Sequence, residues 1–127
     1  VTSIGSDAFE DCSSLTSITI PESVTSIGSH AFYTCKSLTT VIIKSTNQLT
    51  FDTFVFWNCE KLSTIYFYSL IEPNYSTASE CYCGDISGSC APFYCQTLDN
   101  ITIYVPKDYN PTATTFCDKS VTFKREL

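Results

Sequence analysis

The sequence predicts a solenoid, a right-handed stack of about four to five short β-rich coils closed by a C-terminal cap. Residues 1–23 and 24–46 are copies of one unit, because 13 of their 23 aligned positions are identical. An apolar triplet spaced Leu-x-x-Leu-x-Leu also recurs along the chain, with a cysteine three residues before each triplet. One short unit cannot bury its apolar side, whereas stacked copies enclose a continuous core.

Each unit predicts two extended stretches and one turn. Apolar Ile18 and Ile20 alternate with polar residues, which is typical of a strand with one buried face. Residues 24–27 predict a second, shorter stretch that ends at Gly28. The segment Ser-x-Ala-Phe-x-x-Cys predicts a tight helical turn that directs Phe and Cys inward. The triplets begin at Leu15, Leu38, Leu62 and Leu98, with offsets of 23, 24 and 36 residues.

The repeated string SIGxxAFxxCxxLT, which begins at Ser3 and at Ser26, resembles the BspA-like leucine-rich repeats of surface proteins. Degraded copies follow, and residues 103–106 are similar to the closing segment of such arrays. The resemblance implies a leucine-rich-repeat solenoid of the α/β repeat class. It also implies surface exposure, adhesion and protein recognition. It brings no catalytic residues.

The 127 residues predict one domain, 1–127, which is long enough to bury a core. We expect coils at 1–23, 24–48, 49–71 and 91–107, a Cys-rich loop at 72–90 and a C-terminal cap at 108–127. The chain begins at Val1 in mid-repeat, without an initiator Met, and we interpret it as a processed product or a piece of a longer array.

Composition excludes several classes of function. The net charge of −6 argues against nucleic acid, which needs Lys and Arg against its phosphates. No run of 18 apolar residues exists in the sequence, so we expect no membrane insertion in this segment. Eight cysteines favour an oxidising compartment, and therefore an extracellular or cell-surface location.

The cysteines divide into two sets. Those before the triplets would form a row along stacked coils, whereas metal ligands converge on one point, so we expect small buried side chains whose thiols donate to backbone carbonyls. The remaining four predict two disulfides rather than a zinc site. Three pairings are open, of which we favour Cys81–Cys90 with Cys83–Cys117. We expect no metal and no cofactor.

Two further kinds of residue were considered. His30 aligns with Asp7, and we expect it on the solvated surface, because no nucleophile with an oriented partner can be placed beside it. We therefore predict that the protein is not an enzyme. Asn74, which we expect in the loop, and Asn100 begin Asn-x-Ser/Thr sequences and are candidate glycosylation sites.

Aromatic residues give the strongest indication of function. Ile42, Tyr66, Tyr68 and Tyr104 are expected to form one patch on the exposed sheet, and Tyr33 and Trp57 a second column beyond the turn. Exposed aromatic side chains are common at binding hot spots. These residues predict recognition of a protein or glycan partner. Two alternatives stay open: the rings only stabilise the array, or copies of the chain stack head to tail into a filament.

Overall fold

The chain winds into about four stacked turns joined by parallel strands. The computed structural model describes residues 2–75, 81–83, 86–88, 101–110, 115–116, 119–120 and 122–127. Its strands are β1 Ser3–Ile4, β2 Ser17–Ile20, β3 Ser26–Ile27, β4 Thr40–Ile43, β5 Thr50–Phe51, β6 Thr64–Phe67, β7 Asn74–Tyr75, β8 Cys81–Cys83, β9 Ile86–Gly88, β10 Thr102–Tyr104, β11 Thr115–Phe116, β12 Lys119–Ser120 and β13 Thr122–Lys124.

The largest sheet, here called the outer sheet, has the strand order β13-β10-β6-β4-β2, and all its pairs are parallel. Its register places equivalent residues of successive coils side by side. Val41, Ile65 and Ile103 form an inward column with no solvent exposure. The predicted strand alternation and coil offsets are confirmed, because a slip of one residue would turn these side chains outward.

A second sheet, in the order β1-β3-β5-β7, forms another side of the solenoid. Ile4, Ile27 and Phe51 are neighbours in its register, and the last two are buried. Gly28 ends β3 at a close approach between coils, since an added Cβ would lie 2.5 Å from the Ser6 backbone nitrogen. The expected extended stretch and its glycine end are therefore present.

The third side consists of turns, so the expected helical turn was wrong. The described residues contain no helix. The amides of Asp7, Phe9 and Asp11 donate to carbonyl oxygens of the next coil, at 2.8 to 3.0 Å. The residues between them close three-residue turns within the coil, such as Ala8 to Gly5. These alternating bonds require positive φ angles at Asp7, Asp11, His30, Thr34, Phe54 and Asn58.

Phenylalanine and cysteine rungs fill the core behind the turns. Phe32 stacks between Phe9 and Phe56, with ring centroids 5.3 and 5.5 Å away and nearly parallel planes. The Cys35 thiol donates to the Phe9 carbonyl, and the Cys59 thiol donates to that of Phe32, both at 3.0 Å. The cysteines therefore follow one another from coil to coil as small buried side chains, as predicted.

The region after coil 3 departs from the expected plan. The stretch 72–90, predicted as a loop, begins with β7, because the Asn74 amide bonds to the Leu49 carbonyl and β7 pairs with β5. It also contains the antiparallel pair β8–β9. Asn74 therefore lies on an exposed strand rather than in a loop.

The C-terminal residues pack against the last coil. Strand β13 forms the edge of the outer sheet beside β10. Tyr109 is buried and contacts the rings of Phe67 and Phe123, each with centroids 5.8 Å apart. The Arg125 guanidinium donates to the Tyr109 carbonyl oxygen. This cap stabilises the end of the stack by covering the apolar side of coil 3.

Candidate functional site

Two outward columns run across the outer sheet. One is entirely hydroxylic, and the other changes from polar to aromatic and then to basic. The first contains Ser17, Thr40, Thr64, Thr102 and Thr122, and the second contains Thr19, Ile42, Tyr66, Tyr104 and Lys124. Although the whole protein carries a net charge of −6, none of these ten residues is acidic.

Tyr66 and Tyr104 form the centre of the second column. Their rings stack with centroids 4.9 Å apart and an angle of 14° between the planes. The Lys124 ammonium lies 5.8 Å from the centroid of the Tyr104 ring. Both tyrosines and Ile42 are half-buried. The stacking that would stabilise the array is therefore present, and part of each side chain still reaches solvent.

Tyr68 lies just beyond this column and is more open, with 39% of its surface exposed. The Lys44 ammonium lies 5.0 Å from the centroid of its ring. A groove beside them is lined by Thr19, Pro21, Glu22, Lys44, Thr46 and Tyr68. The sheet therefore offers aromatic and cationic groups together, which can receive apolar, aromatic or anionic groups of a partner.

The turns carry a second aromatic group, which we call the ring cluster: His30, Tyr33, Phe54 and Trp57. The His30 ring stacks on Phe54 at 5.0 Å and meets Tyr33 edge-on at 5.3 Å. Tyr33 and Trp57 lie 4.6 Å apart. His30 is half-buried, and its Nδ1 atom lies 2.8 Å from the Ser29 hydroxyl. The prediction of a solvated surface position for His30 was wrong, because three neighbouring rings cover it.

Coil 1 gives these turns a different chemistry. The positions occupied by His30 and Tyr33 in coil 2 hold Asp7 and Glu10 in coil 1, and Asp11 lies beside them. All three carboxylates are exposed. Within the described residues, no ion pair or side-chain hydrogen bond engages them. The turn face is therefore acidic at one end and aromatic at the other.

The buried thiols show no sign of a reactive centre. A hydrogen bond with Cys35, together with burial, raises the pKa of the Cys59 thiol above its ordinary value of 9.0. Cys12, Cys35 and Cys59 form no disulfide. No group of three or more potential ligands in the described part of the chain could hold a metal ion.

Several expected sites lie outside the described residues. Cys90, Cys117 and Asn100 belong to them. Cys81 and Cys83 are described only as backbone of β8, so the two disulfides stay a prediction. Glycosylation of Asn74 and Asn100 also stays a prediction.

The same family repeat covers most of the chain. Six copies of the BspA type leucine-rich repeat region match residues 1–88. The chain belongs to this family. The expected resemblance and the solenoid fold are thus confirmed, and the family indicates a protein-interaction or adhesion module that is generally associated with surfaces. A leucine-rich-repeat solenoid is typically a non-enzymatic binding scaffold.

Neither the curated proteins nor the solved structures contain a match. Among the described residues, no helix has the length and apolar character needed to cross a membrane.

Sequence reasoning missed three contributions to these surfaces. It did not place Phe54 beside His30, since the third coil replaces the Ile-Gly turn used for alignment. Lys124 was interpreted as an edge charge, although strand pairing puts it over Tyr104. Tyr109 carried no repeat signal. The offset of 24 residues between His30 and Phe54 could have identified the first of these.

Proposed function

We propose that this protein is a non-enzymatic recognition or adhesion module, extracellular or at the cell surface, which binds a protein or glycan partner through its outer sheet. The column Ile42, Tyr66, Tyr104 carries the proposal. It combines an aliphatic side chain, a stacked tyrosine pair and a terminal lysine on a face without carboxylates. Tyrosines supply large rigid contact area with little conformational freedom to lose on binding.

The rigidity of the strands also supports this surface. Parallel pairing on both sides holds β4 and β6 in place, so the side chains between them are positioned before a partner arrives. Preorganised groups bind more tightly because less entropy is lost when the complex forms. Tyr68 with Lys44 would extend the contact along one edge of the sheet.

A binding survey tests the proposal. The labelled chain is applied to immobilised panels of purified extracellular proteins and glycans. The double variant Tyr66→Thr with Tyr104→Thr keeps strand-forming residues and copies the residue found at Thr19. We expect its affinity for any partner found to fall by about tenfold or more, since each anchor is worth about 1 kcal/mol or more.

The matched control changes exposed apolar residues elsewhere. Leu70 and Ile71 are 57% and 44% exposed and do not belong to the outer sheet. Leu70→Ser with Ile71→Ser should leave the affinity within about twofold of the original. Equal affinity of the tyrosine variant and the original chain would exclude the outer sheet as the binding surface.

The apolar face of the first coil supports a second candidate, a structural subunit of an extracellular filament. Five apolar side chains there are only partly buried, although their equivalents in later coils are fully buried: Ile4, Phe9, Cys12, Leu15 and Ile18. A second copy of the chain stacked on this face would cover them. Light scattering over a range of concentrations tests it. Growing polymers favour the filament, whereas a constant 14.1 kDa species excludes it.

A further inference from the structure

We propose that the turn face of coils 1 to 3 is a second binding surface, which takes an arginine-bearing segment of a partner protein. The surface consists of the ring cluster and of the neighbouring carboxylates of Asp7, Glu10 and Asp11. It lies on the turns, whereas the outer sheet is built from different residues of the same coils. The inference goes beyond the proposed function and does not depend on it.

The ring cluster ends abruptly at coil 2. His30 stacks on Phe54, and Tyr33 packs on Trp57, so each ring of coil 2 has an aromatic neighbour in coil 3. The inner phenylalanines continue this pattern into coil 1, where Phe9 stacks on Phe32. The outer columns do not continue, because coil 1 holds carboxylates in place of rings. A planar group seated over coil 1 would extend the two outer columns by one step.

The charges select what that planar group is. Asp7, Glu10 and Asp11 are exposed, and no ion pair neutralises them among the residues the structure describes. A group that occupies this position meets ring faces on one side and negative charge around it. A flat cation satisfies both conditions, since it stacks on aromatic rings and pairs with carboxylates.

Arginine fits better than lysine. Its guanidinium is planar, is weakly hydrated and donates in a fork that matches a carboxylate, whereas the lysine ammonium is a compact and strongly hydrated point charge. The net charge of −6 also attracts a basic segment from a distance. The partner is therefore expected to present one or more arginines in an exposed, flexible segment.

The backbone holds this surface in place at a cost. Phe54 has a φ angle of 58°, a left-handed conformation that is uncommon for a bulky residue. The Phe32 and Thr34 amides bond to carbonyls of coil 3 on either side of the cluster. The rings are thus fixed relative to the acidic coil before any partner binds.

Trp57 allows a direct test, since it is the only tryptophan of the chain and belongs to the ring cluster. A short acetylated and amidated peptide of alternating Arg and Gly is titrated into the intact chain at low salt, while the Trp57 fluorescence is recorded. We expect a saturable change that weakens as salt is added. The same peptide with Lys in place of Arg should bind more weakly.

Charge variants decide whether the site is specific. The triple variant Asp7→Asn, Glu10→Gln and Asp11→Asn should weaken peptide binding by about tenfold, because each exposed pair is worth up to about 1 kcal/mol. The matched control, Glu22→Gln with Asp108→Asn and Glu126→Gln, lowers the net charge equally at other exposed positions. It should weaken binding by less than about twofold.

An aromatic variant tests the rings. Tyr33→Leu keeps apolar bulk and the Trp57 reporter, and it should weaken binding while the charge variants still bind as expected from their own change. Tyr66→Thr with Tyr104→Thr should leave the affinity unchanged, which separates this surface from the outer sheet. Equal losses in the two charge triples, equal affinity for the Lys peptide, or no saturable signal would each overturn the proposal.

Discussion

The Sγ atom of Cys59 donates a hydrogen bond to the carbonyl oxygen of Phe32 at 3.0 Å, and this bond joins coil 3 to coil 2 inside the core. The relation repeats one coil earlier, where Cys35 donates to Phe9. Each bond needs a protonated thiol. The cysteine rungs are therefore structural hydrogen-bond donors as well as small apolar side chains.

Stability should fall at alkaline pH because of Cys59. Its pKa is raised in the folded state, first by the hydrogen bond with Cys35 and then by burial. Below the ordinary value of 9.0 the thiol is protonated in both states, so the full stability is present. Above that value the unfolded thiol ionises while the folded one stays neutral, which favours unfolding. Urea denaturation from about pH 8 to pH 10 measures the decline.

The control for this decline is the variant Cys59→Ala. Its stability should fall less steeply over the same range, although it is lower at neutral pH. Cys12→Ala, a change at the half-buried end of the row, should keep the original slope. An identical pH dependence of Cys59→Ala and the original chain would contradict the role given to this thiol.

The variant Phe32→Ala should be strongly destabilised. Phe32 is fully buried and stacks on a ring in each neighbouring coil, at 5.3 and 5.5 Å. We expect a loss of about 3–5 kcal/mol in the free energy of unfolding. Phe9→Ala is the matched control, because Phe9 is half-buried and stacks on Phe32 alone among the described rings. It should cost roughly half as much, and similar losses at both sites would argue against a continuous ring stack.

The two repeat glycines should respond differently to alanine. A Cβ at Gly28 would lie 2.5 Å from the Ser6 nitrogen and 2.8 Å from the Gly5 carbonyl carbon. Gly28→Ala should therefore cost about 1–3 kcal/mol, since backbone atoms must move apart. Gly5→Ala meets nothing within 4 Å and should be tolerated. Thermal unfolding compares the two, and a harmless Gly28→Ala would show that the coils are not in such close contact.

The variant Thr34→Asn should stabilise the protein. Thr34 is β-branched and has a φ angle of 57°, whereas the equivalent residues of the neighbouring coils are Asp11 and Asn58. Asparagine tolerates this left-handed conformation better than threonine does. We expect a gain of about 0.5–1 kcal/mol in the free energy of unfolding. A loss would mean that the Thr34 side chain makes a contribution that its backbone strain does not reveal.

The strands were predictable because two independent patterns agree on them. Alternation at Ile18 and Ile20 shows which side is buried, and the offsets of 23 and 24 residues show which strands are neighbours. Together they placed Ile42 and Tyr66 in one outward column, and the sheet register confirms this placement. A repeat makes such inferences strong, since each coil must match its neighbours along the whole strand.

The turns were not predictable in the same way. The spacing from Ala31 to Phe32 and Cys35 fits one face of a helix as well as it fits a series of tight turns. The choice depends on bonds between coils, such as Phe32 to Val55, which compete with the bonds of a helix. The wrong position given to His30 has the same origin, because its covering rings come from the following coil.

Register in the outer sheet is the most direct test of this account, because a shift of one residue would exchange buried and exposed faces. Solution NMR can measure it through nuclear Overhauser contacts between backbone protons of adjacent strands. We predict contacts that pair Thr19 with Ile42, Ile42 with Tyr66, and Tyr66 with Tyr104. Contacts that instead pair Ile42 with Ile65 or Phe67 would contradict the stacking of the coils and the binding surface proposed on it.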